Sequence, residues 1–399
     1  MKRAAEIVGD PEEAESSGLA PSKVIRVVHV ITGLKTGGAE IMLLKLLRAM
    51  PREGSRHTVI SLTSEGDVGK RIADLGIPVI ALRMRGIGAS LFGFCRLVQL
   101  LRRIRPQVTQ TWLYHADLIG GLAARAAGGS KIVWGIRHAN LDPGANKRAI
   151  LRLARISAIL SRTVPHAILC NAERARSVHA GYGYARNMDV IPNGFEIREP
   201  SGNRTEREAI RLALEVGRGT KLIGWVGRFH PQKDPMSFVK AALMVSSRAP
   251  DAVFLMAGEG LAWDNFRITD LLGHGPNKDR FRLLGKREDI PSLMTALDLF
   301  VSSSQGEGFP NAVGEAMVEE RPCIVTDVGD SAYLVGDTGW VVPPRDPGAL
   351  AEAMLDALRA EPEILERKGR MARDRVLRTF EIGHIALSYL QYYRSLLRK

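Results

Sequence analysis

A single rhythm, run through twice, constrains this chain more than any other feature: a short run rich in β-branched residues, a glycine-bearing turn, then a stretch with helical spacing. Residues 24–30 (VIRVVHV) do not alternate apolar with polar side chains, and they lead through a glycine turn into a helical pattern over residues 39–50. A non-alternating apolar run of this length fits a parallel strand covered on both faces. Residues 57–62, 78–82, 108–111, 132–136, 167–170 and 189–191 repeat the strand, with helix-length segments between most of them. After the turn Ile191-Pro192-Asn193-Gly194 the rhythm restarts, with strand candidates at 222–226, 252–256, 281–284, 299–302, 323–326 and 339–342. The pattern predicts an α/β protein of two Rossmann-like doubly wound domains in series, residues 23–194 and 195–378. Ligands of such domains bind outside the carboxyl ends of the strands. Residues 379–399 carry Ile385, Tyr389, Tyr393 and Leu396 at helical spacing and predict a C-terminal helix packed back on the first domain. Residues 1–22 are acidic, rich in small residues and without an apolar run, which predicts a disordered tail rather than a signal peptide.

Composition narrows the function classes. The longest apolar candidate, residues 87–101, is interrupted by Arg96 and falls short of the roughly 20 residues that span a bilayer. Cys95, Cys170 and Cys323 are odd in number and widely spaced, which argues against a disulfide framework or zinc site and fits a reducing cytoplasm. The net charge of +13 is lopsided: residues 1–200 hold 29 Lys/Arg against 16 Asp/Glu, whereas residues 201–399 hold 27 of each. A positive field on the first domain attracts phosphate, whether in nucleic acid, an anionic membrane or a diphosphate ligand.

Two stretches of the second domain carry the chemistry. In Glu307-Gly308-Phe309-Pro310-Asn311-Ala312-Val313-Gly314-Glu315, two carboxylates stand eight residues apart across a Gly/Pro loop that opens a helix near Pro310 or Asn311. Free N–H groups at a helix start favour an anion, and carboxylates accept hydrogen bonds from hydroxyls. Taken alone, these glutamates read equally well as a solvated loop residue and a helix-start carboxylate. In Gly227-Arg228-Phe229-His230-Pro231-Gln232-Lys233-Asp234, Arg228 and Lys233 follow a strand and can clamp a diphosphate, stabilising the charge that grows on a leaving phosphate.

These two stretches, with Ala257-Gly258-Glu259-Gly260, Thr326-Asp327-Val328-Gly329-Asp330 and Gly339-Trp340-Val341-Val342-Pro343, resemble in that order the retaining GT-B glycosyltransferases of family 4, the E-x7-E type. The first domain shares the resemblance through Thr32-Gly33-Leu34, Gly37-Gly38-Ala39-Glu40, Trp112, His115-Ala116-Asp117 and Arg137-His138-Ala139-Asn140. The resemblance implies a nucleotide diphosphate sugar donor, most often uridine-linked, and no other cofactor. It implies that Arg228 and Lys233 bind the donor diphosphate, that Glu307 lies beside the transferred sugar within the segment Glu307 to Ala312, and that Glu315 holds the ribose. It further implies that Gly37 and Gly38 close over the phosphates, that the turn from Gly285 to Ile290 meets the base, and that His138 faces the acceptor, with Arg137 and Asn140 beside it. Catalysis would then rest on Arg228, Lys233, Glu307 and His138. The leaving phosphate would take the acceptor proton, with no protein nucleophile and no metal. The sequence contains no Asp-x-Asp motif, nucleophile elbow or P-loop lysine.

Residues 147–165 read as a helix with Arg148, Arg152, Arg155 and Arg162 on one face, joined by Ile159. A basic stripe with an apolar member suits an anionic membrane, and an ordinary solvated face is the plain alternative. The expectation is a cytoplasmic enzyme, peripheral at the inner face of the plasma membrane, acting on a lipid-linked saccharide. A small soluble acceptor is the nearest rival. A nicotinamide-dependent oxidoreductase would need Gly-x-Gly-x-x-Gly after the first strand, where this chain reads Gly33-Leu34-Lys35-Thr36-Gly37-Gly38. A nucleic-acid-binding protein would explain the charge but not the paired glutamates, and no nucleic-acid partner is expected.

Overall fold

Every strand expected from the sequence forms, within one or two residues of the expected bounds, in a computed structural model that describes residues 24–84, 86–144, 146–198, 204–273 and 277–398. The expected tail, residues 1–22, lies outside the described residues. The first unit holds β1 (Ile25–Ile31), β2 (Ser55–Ser61), β3 (Val79–Ala81), β4 (Val108–Trp112), β5 (Lys131–Ile136), β6 (Ala167–Cys170) and β7 (Met188–Val190). Its helices are α1 (Gly38–Ala49), α2 (Gly66–Ala73), α3 (Gly86–Ile104), α4 (Tyr114–Ala127), α5 (Arg148–Leu160) and α6 (Glu173–Gly181). The sheet is parallel in the order β3-β2-β1-β4-β5-β6-β7. β4 and β6 are buried at every position, as strands sandwiched between helix layers must be. Trp112 and Trp134 are fully buried, and each such side chain contributes on the order of 2–3 kcal/mol.

The second unit holds β8 (Lys221–Val226), β9 (Ala252–Ala257), β10 (Phe281–Leu283), β11 (Leu299–Ser302), β12 (Cys323–Thr326) and β13 (Trp340–Val342), ordered β10-β9-β8-β11-β12-β13 and again parallel. Its helices are α7 (Arg204–Ala213), α8 (Pro235–Ser246), α9 (Phe266–Leu272), α10 (Ile290–Ala296), α11 (Asn311–Val318), α12 (Ser331–Val335), α13 (Pro347–Arg359) and α14 (Pro362–Thr379). One helix layer, with α8, α9 and α13, closes a core around Phe238 and Phe254; the other, with α10, α11, α12 and α14, closes a core around Phe300 and Phe380.

The last helix, α15 (Ile382–Arg398), returns to the first unit. Its Ile385, Tyr389 and Tyr393 join Met42 and Leu46 of α1 in one buried cluster. The boundary falls after Glu381, not at residue 378 as the spacing suggested. The Phe195 N–H donates to the Phe380 carbonyl at 2.8 Å, and Phe195 pairs with Glu381, which holds the chain in the second unit for those extra residues. α5 is likewise shorter than residues 147–165: Ser161 Oγ donates to the Ala158 carbonyl at 2.6 Å and closes the last turn, so Arg162 lies beyond the helix.

Candidate active site

In a doubly wound sheet the loops part where the strand order reverses, and the crevice forms there. In the second unit that point lies between β8 and β11. The loops that leave it are residues 227–234 and 303–310, the two stretches that carry the candidate chemistry. Lys233 Nζ meets Glu307 Oε1 at 2.6 Å, with 28% and 8% of the two side chains exposed. Ser304 Oγ donates to the same Glu307 oxygen at 2.6 Å, and the Thr326 hydroxyl holds the Ser304 carbonyl at 2.6 Å. Among the described residues Glu307 Oε2 has no protein partner, which leaves it to accept hydrogen bonds from a ligand hydroxyl. Arg228 is exposed on the same loop as Lys233.

The Lys233 loop is held under backbone strain. Asp234 takes a left-handed conformation with φ of 48°, uncommon for a residue with a side chain. It is retained because its carboxylate caps α8, accepting from the Ser237 N–H at 3.2 Å and the Ser237 hydroxyl at 2.7 Å. Gln305 Nε2 donates to that carboxylate at 2.8 Å, Gln232 Nε2 donates to the Gly306 carbonyl at 2.8 Å, and the two loops are thereby laced together. Ser304, Gln305 and Gln232 were not singled out from the sequence. Their polar character is visible in the sequence, but the pairing of Gln232 with Gly306 and of Gln305 with Asp234, each across about 70 residues, is not.

Glycines of two further motifs of this unit support these loops. A Cβ on Gly258 would stand 1.8 Å from the Gly227 carbonyl oxygen, so this position needs glycine for the loop after β9 to pass beneath the Arg228 loop. Gly329 has φ of +58° and would place a Cβ 2.4 Å from the Glu307 carbonyl, while the Asp330 N–H donates to the Gly308 carbonyl at 3.0 Å. Gly285 accepts from the Gly258 N–H at 2.8 Å, and Ile290 begins α10. Pro310 stands at the N-cap of α11, Asn311 and Ala312 open that helix, Phe309 is buried, and Glu315 is half-buried on its second turn.

In the first unit the reversal lies between β1 and β4. A cavity of about 370 Å³ there is lined by Thr32, Gly33, Lys35, Glu40, Thr63, Ser64 and Leu113. Gly37 is the N-cap of α1 and Gly38 its first residue. His138 and Asn140 lie in the loop after β5 and are tied to it: His138 Nε2 lies 3.2 Å from Asn146 Oδ1, and Asn140 Oδ1 accepts from the Asp142 N–H at 2.8 Å. Arg137 has intramolecular partners. Its guanidinium lies 4.1 Å above the Trp112 ring, donates to Asn193 Oδ1 at 2.6 Å and to the Tyr389 hydroxyl, and so fastens α15 to β4, while its buried Nε has no partner among the described residues.

Beneath Trp112 runs a chain of rings with assigned tautomers. Indole N–H can only donate, so His29 Nδ1 accepts from Trp112 at 3.2 Å and His29 Nε2 carries the proton. His29 Nε2 then donates to His57 Nδ1 at 2.9 Å, and His57 Nε2 donates to Ser55 Oγ at 2.8 Å. Both rings are neutral: burial holds the pKa of His29 well below the usual range and brings that of His57 down to about 4. Asp117, buried beside β5, is pushed up to about 7 by burial, against hydrogen bonds from Thr111 and the Gly135 N–H. On α5, Arg148, Arg152 and Arg155 are exposed, as is Arg162 beyond it, with Ile156 48% and Ile159 71% exposed. Among the described residues no helix is long and apolar enough to cross a membrane.

Residues 220–360 match the family described as Glycosyl transferases group 1, and residues 36–199 match Glycosyltransferase Family 4. The UDP-Gal:alpha-D-GlcNAc-diphosphoundecaprenol alpha-1,3-galactosyltransferase of Escherichia coli is 26% identical over 72% of this chain and 74% of its own length. The 2-deoxystreptamine N-acetyl-D-glucosaminyltransferase of Streptomyces fradiae is 27% identical over 87% of this chain and 91% of its own. In three dimensions the chain is similar to HepE of Anabaena, solved in complex with UDP-glucose, with a TM-score of 0.80, 19% identity and coverage of 93% of this chain and 100% of that one. The chain belongs to the group 1 glycosyltransferases of the GT-B fold.

Proposed function

We propose that the enzyme transfers a hexose or N-acetylhexosamine, with retention of anomeric configuration, from a uridine diphosphate sugar to a hydroxyl of a lipid-linked saccharide in cell-surface polysaccharide synthesis. The observation that carries this reading is the Lys233–Glu307 pair at the strand reversal of the second unit. An ammonium has three N–H donors, of which Glu307 takes one, so Lys233 retains two for diphosphate oxygens. Exposed Arg228 adds a planar fork suited to a second phosphate. These two cations stabilise the charge that develops as the sugar leaves, the part a metal plays elsewhere. Glu307 Oε2 accepts from the sugar hydroxyls, Glu315 from the ribose, and the start of α11 gives its N–H groups to phosphate. The leaving phosphate oxygen accepts the proton of the incoming hydroxyl on the same face of the sugar, with His138 orienting the acceptor.

The lipid-linked acceptor is supported by the activity named for the Escherichia coli relative and by the outer helix layer of the first unit. There Leu91 and Phe92 of α3, 68% and 71% exposed, share a layer with the exposed arginines of α5, a composition suited to the inner face of the plasma membrane. A small soluble acceptor is the second reading, favoured by the aminocyclitol named for the Streptomyces relative. The test is thermal stabilisation by UDP, GDP and ADP and by their hexose conjugates, with a metal chelator present, repeated on Arg228→Ala and Glu315→Ala. Selective stabilisation by one uridine ligand, lost in both variants, is expected. Stabilisation that needs added metal, or that survives both substitutions, would overturn the donor assignment.

A further inference from the structure

A cavity of about 540 Å³ opens in the first unit where Val27 of β1, Ser55 to Thr58 of β2 and Pro78 ahead of β3 begin their strands. Substrate crevices of doubly wound sheets lie at the carboxyl ends, so this cavity occupies the opposite edge of the sheet from Gly37, His138 and Leu113. Its volume falls within the range of small-molecule sites, about 300–1,000 Å³.

The lining separates into two chemistries. Its floor is apolar: Val27, Leu47 and Met50 are buried, and Ile77 and Ile104 are half-buried beside them. Its rim is basic, with Arg26, Arg48, Arg52 and Arg56 all exposed and no carboxylate among the described residues that line it. Arg26 is already oriented, because its Nε and one terminal nitrogen donate to the Arg105 carbonyl at 3.1 and 3.0 Å. Arg52 and Arg56 make no hydrogen bond or ion pair with the described residues. The wall residue His57 contributes no charge at neutral pH: burial keeps the ring neutral, and its Nε2–H donates a hydrogen bond to Ser55 Oγ. Like charges around one mouth repel one another, and an anion relieves that repulsion. An apolar floor gives a bare inorganic anion nothing to bury, whereas an alkyl chain gains about 0.8 kcal/mol per methylene removed from water.

We propose that this cavity binds an anionic amphiphile, a phosphate head group carrying an alkyl chain, with the head between Arg52 and Arg56 and the chain on Leu47, Met50 and Ile77. The site is independent of the transfer reaction, and its occupant is not the donor.

The probe is dodecyl phosphate below its micelle concentration, titrated calorimetrically into the full chain, with inorganic phosphate and dodecyl maltoside as head-only and tail-only controls. Saturable one-to-one binding is expected for dodecyl phosphate, at least about tenfold tighter than for either control and weakened about tenfold or more in the Arg52→Ala/Arg56→Ala double variant. Both arginines are exposed, so the double variant should keep its melting temperature without ligand and its stabilisation by UDP. Capture on phosphatidylglycerol vesicles that requires both arginines and is competed by dodecyl phosphate would identify a bilayer as the source; monomer binding without capture would identify a free amphiphile. Equal affinity of the two proteins for dodecyl phosphate, no saturable binding, or equal binding of either control overturns the proposal.

Discussion

The two units reverse their strand order at the same place, on either side of their first strand, yet put different material in the crevice. In the second unit the crevice is charged and braced: Lys233 and Glu307 are paired, and Ser304, Gln232, Gln305 and the capped Asp234 fix the loops that carry them. In the first unit the cavity is lined by hydroxyls, Gly33 and Leu113 with Lys35 and Glu40, and among the described residues His138 is bonded within its own loop. A braced crevice suits an invariant ligand portion, which in the proposed function is the nucleoside diphosphate. The less braced crevice of the first unit is the one that the proposed function leaves to the acceptor. The difference also appears in charge, since the excess of cations belongs to the first unit.

Breaking the braced side should have the largest effect. Arg228→Ala or Lys233→Ala is expected to lower kcat by about 10²–10³-fold, with the fold intact, as loss of one preorganised donor to a developing charge does. Steady-state kinetics with a uridine diphosphate sugar check this, and a loss confined to KM would mean that the cations bind donor without assisting departure. Gly329→Ala sharpens the same point without touching a charge: its Cβ must displace the Glu307 backbone, so donor affinity should fall by about tenfold while the circular dichroism spectrum is kept.

The first unit should instead respond to pH. His29, His57 and His179 have pKa values lowered by burial, the latter two to about 4, so the unfolded chain takes up protons below about pH 6.5 that the folded chain refuses. Their stability contribution is full above pH 6.5 and is lost as pH falls towards 4. Asp117, raised to about 7, acts in reverse: its contribution is present below about pH 4 and is lost as pH rises through 7. Three histidines outweigh one aspartate, so between pH 4.5 and 6.5 stability should rise by on the order of 2 kcal/mol per pH unit. Melting temperatures across that window test it, and a flat profile would refute the neutral-ring assignment. Tyr389→Phe, which removes one partner of Arg137, should cost about 1.5–3 kcal/mol in denaturant titrations. The smallest effect is expected on the outer face of the first unit. Arg148, Arg152 and Arg155, changed together to glutamine, should weaken binding to anionic vesicles by about 1 kcal/mol each, read by sedimentation at low salt.

The sequence was most informative where a property is local. Non-alternating strands such as residues 167–170 and 323–326 declared themselves because parallel strands are buried on both faces, and the start of α11 was visible in Pro310-Asn311. The donor motifs were legible as residues, but not as a pair, since contact between Lys233 and Glu307 depends on β8 and β11 lying side by side. The end of α5 was misjudged because helical spacing continues through Arg162, whereas the Ser161 hydroxyl turns back on the Ala158 carbonyl. The ring chain from Trp112 through His29 and His57 to Ser55 was invisible: its members belong to three strands, and the alignment of their nitrogens is a product of register.

The position of α15 has a consequence in time. The first unit owes part of its core to Ile385, Tyr389 and Tyr393, and the ribosome makes these only after all of Phe195–Glu381 has been made. At about 5–20 residues per second that interval is roughly 10–40 s. Throughout it the part of α1 that α15 covers stands open on a nascent chain, so the second unit can finish folding before the first is sealed. Premature termination anywhere before Tyr389 leaves a first unit that chaperones and proteases can recognise as unfinished.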